Sequence, residues 1–248
     1  HTSIIYYDDP FDQLAPNDLL PTDYKQIRIS VNSSTQRDPV VLVTNVAPKG
    51  IETSEGGGTL SILVINAFAQ AVPQAQIHIT NTQVIPNINV TLQTDVNGRV
   101  ILPGAPPCAT CYFIEVSKDQ YTKDRTYTES DLANPIKKPI TISEGSLSEA
   151  VFVIDKTSQI SLLSTQNQEG FPPLANATLR LTGNKTIGTN ADGDPVYKID
   201  QVFSTNGNGQ YIIENGEWDN YTITIPNGDY SLAAINPTIP ISVKPDEN

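Results

Sequence analysis

The stretch "TDVNGRVILPG" at residues 94–104 decides how the rest of the chain is read. An acid, an amide and a glycine in close order fit an oxygen-lined cation loop. They fit equally the bend between two strands. Asn97–Gly98 favours the bend, because both residues tolerate the positive φ that tight hairpins need. The apolar run after Arg99 then supplies a strand for the bend to enter. A second copy supports the same reading: "TNGNGQYII" at 205–213 repeats the threonine, the acid or amide, the glycine and the apolar run of "TDVNGRVIL" at 94–102.

Three more blocks recur in the same order. "LSILVINAFAQ" from Leu60 aligns with "ISLLSTQNQEG" from Ile160, and "VPQAQIHIT" from Val72 with "LANATLRLT" from Leu174. "IEVSKDQY" ending at Tyr121 answers "ITIPNGDY" ending at Tyr230. Blocks that keep their order imply two tandem copies of one domain, 59–155 and 156–248. Within "AQIHIT", Ala75, Ile77 and Ile79 face one way while Gln76, His78 and Thr80 face the other, the period of a half-buried strand. Residues 1–55 differ. "SIIYYDDPFD", "DYKQIRISVNSS" and "DPVVLVTNVAP" read as a small antiparallel sheet, followed by "EGGGT" at 55–59 as a hinge. The expected fold is all-β: this N-terminal sheet and two tandem sandwiches, with helix nearly absent.

The first copy, through "AVPQAQIHIT", "TDVNGRVILPG" and "CYFIEVSKDQY", resembles the carboxypeptidase regulatory-like domain. The resemblance implies a transthyretin-like, Ig-like β-sandwich, used on secreted proteins as a rigid spacer or binding module and carrying no catalysis of its own. The second copy departs from the pattern. There "GNKTIGTNADGDPVYKIDQVF" (183–203) is inserted, and "GEWDNY" (216–221) stands in place of the cysteine segment. The N-terminal "DYKQIRISV", "PVVLVT" and "APKGIET" are similar to the C-terminal sheet of minor type IV pilins and pseudopilins. In that family an apolar N-terminal helix precedes the sheet; this sequence contains none. Together the resemblances imply a non-catalytic, extracellular, pilin-like surface subunit that displays sandwich domains. Its expected partners are other filament or envelope subunits and a surface glycan or protein target.

Charge and composition agree with a soluble exterior. Lys+Arg 15 against Asp+Glu 27 leaves a net charge of −12. Such a surface lacks the basic stripe that displaces counterions from nucleic acid, and an anionic membrane repels it. No run reaches the roughly 18 apolar residues that span a bilayer. The longest, "LSILVINAFAQAV", is interrupted by Ser61, Asn66 and Gln70.

Catalysis has little to draw on. The chain has two histidines, His1 and His78, and no H-E-x-x-H pattern for a zinc peptidase. The expectation is no enzyme and no cofactor. Cys108 and Cys111 lack further cysteines or paired histidines for zinc, and they precede the strand "YFIEV" rather than open a helix. A short-loop disulfide is the reading that remains, and it implies an oxidising compartment. Calcium candidates are Asp8, Asp9 and Asp12 in "YYDDPFD" and Asp192 and Asp194 in "NADGDP"; Asx-turns beside Pro10 and Pro195 explain both without metal.

An alternative function is a carbohydrate-binding or spacer module of a secreted enzyme. In that case Tyr211, Trp218 and Tyr221 are the rings that would stack on sugar; a core anchor is the competing role for Trp218. A last candidate is an intramolecular Lys–Asn amide cross-link at Lys156, with Glu217 assisting proton transfer.

Overall fold

A computed structural model describes residues 2–7, 24–32, 39–46, 57–226 and 230–246. These residues form 20 strands and no helix, so the protein is all-β. The first three strands, β1 (Thr2–Tyr7), β2 (Tyr24–Val31) and β3 (Val40–Val46), make an antiparallel sheet in the order β1-β2-β3. β-Branched runs such as "VVLVTNV" favour this pleated state. Strand β3 is the sheet's edge, and it is exposed along its whole length.

The chain divides into two compact units. The first comprises His1–Lys118, Lys123–Thr126 and Lys138–Ile154; the second comprises Asp119–Thr122, Tyr127–Lys137 and Asp155–Asn248. Two loops that the repeat boundaries put in the first copy, 119–122 and 127–137, therefore cluster with the second unit. The hinge expectation also needs correcting at its described end. Gly57 and Gly58 are buried, and a Cβ on Gly58 would stand 2.2 Å from the Ser143 carbonyl oxygen. These glycines let two backbones approach closely, which is the opposite of a free joint. Glu55 and Gly56 lie outside the described residues.

In the first unit, β4 (Gly58–Ile65), β5 (Gln76–Asn81), β6 (Ile88–Gln93), β7 (Arg99–Ala105) and β8 (Cys108–Ser117) follow one another, with the short β9 (Asp124–Arg125) beside β8. One further two-residue strand, β10 (Asn134–Pro135), belongs to the second unit. β11 (Ile140–Ile142) and β12 (Leu147–Val153) complete the first. They form two sheets, β12-β4-β7 and β11-β8-β5-β6. Alternation decides what is buried. Leu60, Ile62 and Val64 of β4, Ile77 and Ile79 of β5 and Val116 of β8 are all 0% exposed. β12 runs parallel to β4, from Leu147 beside Thr59 to Val153 beside Ile65.

The second unit contains β13 (Ser158–Leu163), β14 (Thr178–Gly183), β15 (Thr186–Thr189), β16 (Pro195–Tyr197), β17 (Asp200–Ser204), β18 (Gln210–Gly216), β19 (Asp219–Thr224) and β20 (Ile241–Val243). Its sheets are β13-β18, β17-β14-β19-β20 and β10-β15-β16. Ile160, Leu181, Phe203, Tyr221 and Ile223 form its buried core.

Several backbone hydrogen bonds recur at equivalent places in the repeated blocks. Val64 N–H donates to Gly98 O at 2.8 Å, and Ser164 N–H to Gly209 O at 2.7 Å. Val72 N–H donates to Val64 O at 2.9 Å, and Leu174 N–H to Ser164 O at 2.8 Å. Thr94 Oγ1 accepts from Ala75 N–H at 2.9 Å, and Thr205 Oγ1 from Ala177 N–H at 3.0 Å. Ile62 sits across from Val100 where Leu162 sits across from Tyr211.

One turn is used four times. Asp95 Oδ1 accepts from Asn97 N–H and Arg99 N–H, at 2.9 and 2.8 Å. Asn206, Asn190 and Asn66 make the same pair of bonds two and four residues on. The fourth residue has positive φ in each turn: Gly98, Gly209, Gly193 and Ala69, the last at φ 58°. Alanine resists that conformation by about 1–2 kcal/mol, and glycine recovers some of this against its larger unfolded-state entropy. Ala69→Gly is therefore expected to stabilise the chain by about 0.5–1 kcal/mol. Urea denaturation checks it, and a destabilised variant would show that Ala69 is not strained.

Candidate functional site

The loop Asp95–Gly98 is a bend. Its carboxylate oxygen Oδ1 is turned back on the backbone amides of its own loop. Asp192 and Asp194 occupy the matching turn led by Asn190, where Asn190 Nδ2 donates to Asp194 Oδ2 at 3.2 Å. Asp8, Asp9 and Asp12 lie outside the described residues. Among the described residues no group of three or more His, Cys, Asp and Glu side chains is arranged to hold a metal ion. His78 on β5 is held across the sheet, its Nε2 2.8 Å from Asn89 Oδ1 of β6.

Chemically loaded side chains gather instead at one corner, which each copy builds differently. The corner lies at the start of β8 in the first copy and of β19 in the second. It is marked by an equivalent buried tyrosine: Tyr112 pairs with Ile140, and Tyr221 with Ile241. Both hydroxyls donate to a carbonyl just upstream, Tyr112 to Pro106 at 2.7 Å and Tyr221 to Glu217 at 2.5 Å. Burial pushes both phenols above their ordinary range.

In the first copy the corner is closed by Cys108–Cys111, with an S–S distance of 2.06 Å. Cys111 is 0% exposed, and its sulfur accepts from Asn81 Nδ2 at 3.0 Å. The staple therefore reaches the core. Cys111 is the first buried residue of β8.

In the second copy the same corner is ionic. Glu217, 5% exposed, accepts from Lys185 Nζ through Oε1 and from Lys198 Nζ through Oε2, each at 2.7 Å. Lys185 Nζ also stands 2.9 Å from the Trp218 ring centroid, a cation–π contact. Asp219 Oδ2 accepts from Lys185 N–H at 3.0 Å and packs against Gly183, where a Cβ would lie 2.3 Å from that oxygen. The inserted segment thus supplies both lysines, and "GEWDNY" supplies Glu217, Trp218, Asp219 and Tyr221. The two places where the second copy departs from the first meet in space.

Burial pulls the Lys185 ammonium down to about 8, against the attraction of Glu217. This gives a pH signature. Between about pH 8 and 10 the unfolded chain holds a proton on Lys185 that the folded chain has released, so stability rises with pH. The slope is at most about 1.4 kcal/mol per pH unit. Above the ordinary tyrosine range, Tyr221 opposes it, because its phenol stays protonated only in the folded state. Lys185→Met is expected to remove the rise between pH 8 and 10. Denaturation across that window measures it, and equal slopes in the two proteins would refute the assignment.

The rings singled out for sugar stacking are already occupied. Tyr221 is 1% exposed, and Tyr211 stacks on Phe203 at 4.0 Å between centroids. Trp218 carries Lys185 over its ring, and its Nε1 is buried without an acceptor. Lys156 and Glu217 are not paired either. Lys156 Nζ meets Asp246 at 2.6 Å, and that partner raises its pKa.

No family model matches this sequence, and no curated protein does. Among solved structures, the Bacillus anthracis TIE protein is 15% identical with a TM-score of 0.35, covering 91% of this chain and 41% of its own. This chain thus spans less than half the length of that protein. A streptococcal ancillary pilin is 12% identical with a TM-score of 0.31, covering 90% of this chain and 75% of its own. The shaft pilin SpaA of Lactobacillus rhamnosus GG is 11% identical with a TM-score of 0.27, covering 77% and 96%.

Proposed function

We propose that the chain is a non-catalytic structural subunit of an extracellular surface assembly, in which tandem sandwiches act as a rigid spacer. The observation that carries this is the doubled corner. The first copy locks it with a disulfide and the second with a Lys–Glu–Lys cluster, so the side chains richest in chemistry are spent on rigidity. The disulfide and the net charge of −12 suit an oxidising, aqueous exterior. Among the described residues no helix is long and apolar enough to cross a membrane.

The finer reading makes the first copy a carboxypeptidase regulatory-like domain and the N-terminal sheet pilin-like, with other filament or envelope subunits as partners. It requires no cofactor. A glycan or protein target stays within the proposal, but not through Tyr211, Trp218 and Tyr221. Immunogold labelling of intact source cells tests the function: label on the outer surface is expected, and label confined to the cytoplasm would overturn it.

A further inference from the structure

Both copies carry an exposed phenylalanine on the same loop, although its residues differ: "NAFAQA" at 66–71 against "QNQEGFP" at 166–172. The loop follows the first strand of each sandwich, β4 in one copy and β13 in the other. It is closed in the same way each time. Asn66 N–H donates to Gln70 O at 2.8 Å, and Gln166 N–H to Pro172 O at 2.9 Å. Isolated bridges, Ile65 with Ala71 and Thr165 with Pro173, tie the two stems. Within this frame Phe68 is 70% exposed and Phe171 66%. Their backbones are pinned: Phe68 N–H donates to Asn66 Oδ1 at 2.9 Å, and Phe171 N–H to Gln168 O at 3.0 Å.

Neither ring serves the fold. A core gains nothing from a side chain left in water, and Phe171 also stands at φ 45°, where a bulky residue is strained. A cost that packing does not offset points to a use outside the domain. Charge narrows that use. The chain has a net charge of −12, yet residues 59–94 contain no Asp, Glu, Lys or Arg, and residues 157–179 contain Glu169 alone. Carboxamides flank each ring instead. Gln70 and Gln74 are exposed in the first loop, and Gln168 in the second. The neighbouring bend brings one more exposed carboxamide to each, Asn97 and Asn208. A Cβ on Gly98 would stand 3.2 Å from Ala71 Cα, and one on Gly209 3.2 Å from Leu174 N.

We propose that these two loops are equivalent binding sites for an uncharged glycan. Phe68 and Phe171 stack on the apolar faces of sugar rings, and the flanking carboxamides exchange hydrogen bonds with hydroxyls as donors and acceptors. A neutral, polar surface around one ring fits such a ligand, whereas an anionic polymer would be repelled by the rest of the chain. Two copies of one site suit a polymer of repeated sugars. The inference gives the glycan target of the surface-subunit reading a site, and it rests on that reading only for where the chain meets its ligand. Binding in solution and labelling of cells fail independently of each other.

The test sediments the intact chain with insoluble cellulose, chitin and β-1,3-glucan, and retention by at least one of them is expected. Phe68→Ala and Phe171→Ala should each weaken the Kd about 3- to 10-fold, and the double variant by the product of the two. Phe68→Tyr and Phe171→Tyr keep the ring and should keep the binding. Both rings are exposed, so the double alanine variant should unfold at the same urea concentration as the parent; unfolding at lower urea would make the rings structural and overturn the proposal. No retention by any of the three polymers overturns it. So does retention that survives in the double variant, or tighter binding to heparin than to the neutral polymers.

Discussion

Glu217→Ala is expected to destabilise the chain by about 3–5 kcal/mol at pH 7, the cost of stripping one partner from a buried charge cluster. Glu217 is 5% exposed and binds Lys185 and Lys198 at 2.7 Å each. Without it the two ammonium groups that it joined are left with no shared counter-charge. Lys185 relieves some of the penalty by shedding its proton, so the deficit should be smaller at pH 9 than at pH 7. Glu217→Gln keeps one acceptor and should fall between the two. Guanidinium titrations at both pH values measure this. A loss below about 1 kcal/mol, the scale of an exposed ion pair, would show that the lysines swing into solvent and anchor nothing.

How this cluster arises explains what the sequence disclosed and what it hid. Strand faces and the repeat register were legible because they rest on local patterns. The alternation of "AQIHIT" placed Ala75, Ile77 and Ile79 inward, and the aligned blocks match the hydrogen-bonded register of β4 with β13 and β5 with β14. The bend at Asp95–Gly98 was legible for the same reason, since an Asx side chain answers amides two and four residues away.

The ionic corner was not legible. Lys185, Lys198 and Glu217 are separated by a hairpin and two strands, and each alone reads as a surface charge. The available signal was indirect: the inserted segment and "GEWDNY" were the two departures from the repeat, and a compensated change in a packed corner needs both sides to change together. The aromatic platform failed through register. Tyr221 is the counterpart of Tyr112, so it must point inward, and the alignment of "IEVSKDQY" with "ITIPNGDY" already implied that pairing. The parallel pairing of β12 with β4 joins the ends of the first sandwich, and no local pattern encodes a partner so far along the chain.

Gly98→Val is expected to cost about 3–4 kcal/mol, well above the strain of positive φ alone. Gly98 has φ +74°, and a Cβ built there lies 2.4 Å from the Val64 carbonyl oxygen and 3.0 Å from the Val72 nitrogen. Those two atoms bond to each other at 2.9 Å, and Val64 N–H bonds to Gly98 O at 2.8 Å. A side chain at 98 must therefore break both of these backbone hydrogen bonds, worth about 1 kcal/mol each, besides adopting the left-handed conformation. Gly193 provides the control within the same molecule. It holds the same place in the same turn at φ +89°, but its Cβ would meet nothing within 4 Å. Gly193→Val should show only the conformational cost, about 1–2 kcal/mol. Gly209→Val should follow Gly98, because its Cβ would lie 2.4 Å from the Ser164 carbonyl oxygen. Urea denaturation of the three variants, with and without EDTA, separates the causes. Equal losses at 98 and 193 would mean that the bend tolerates the close approach, whereas a loss at 98 that appears only without EDTA would make "TDVNGRVILPG" a cation loop after all.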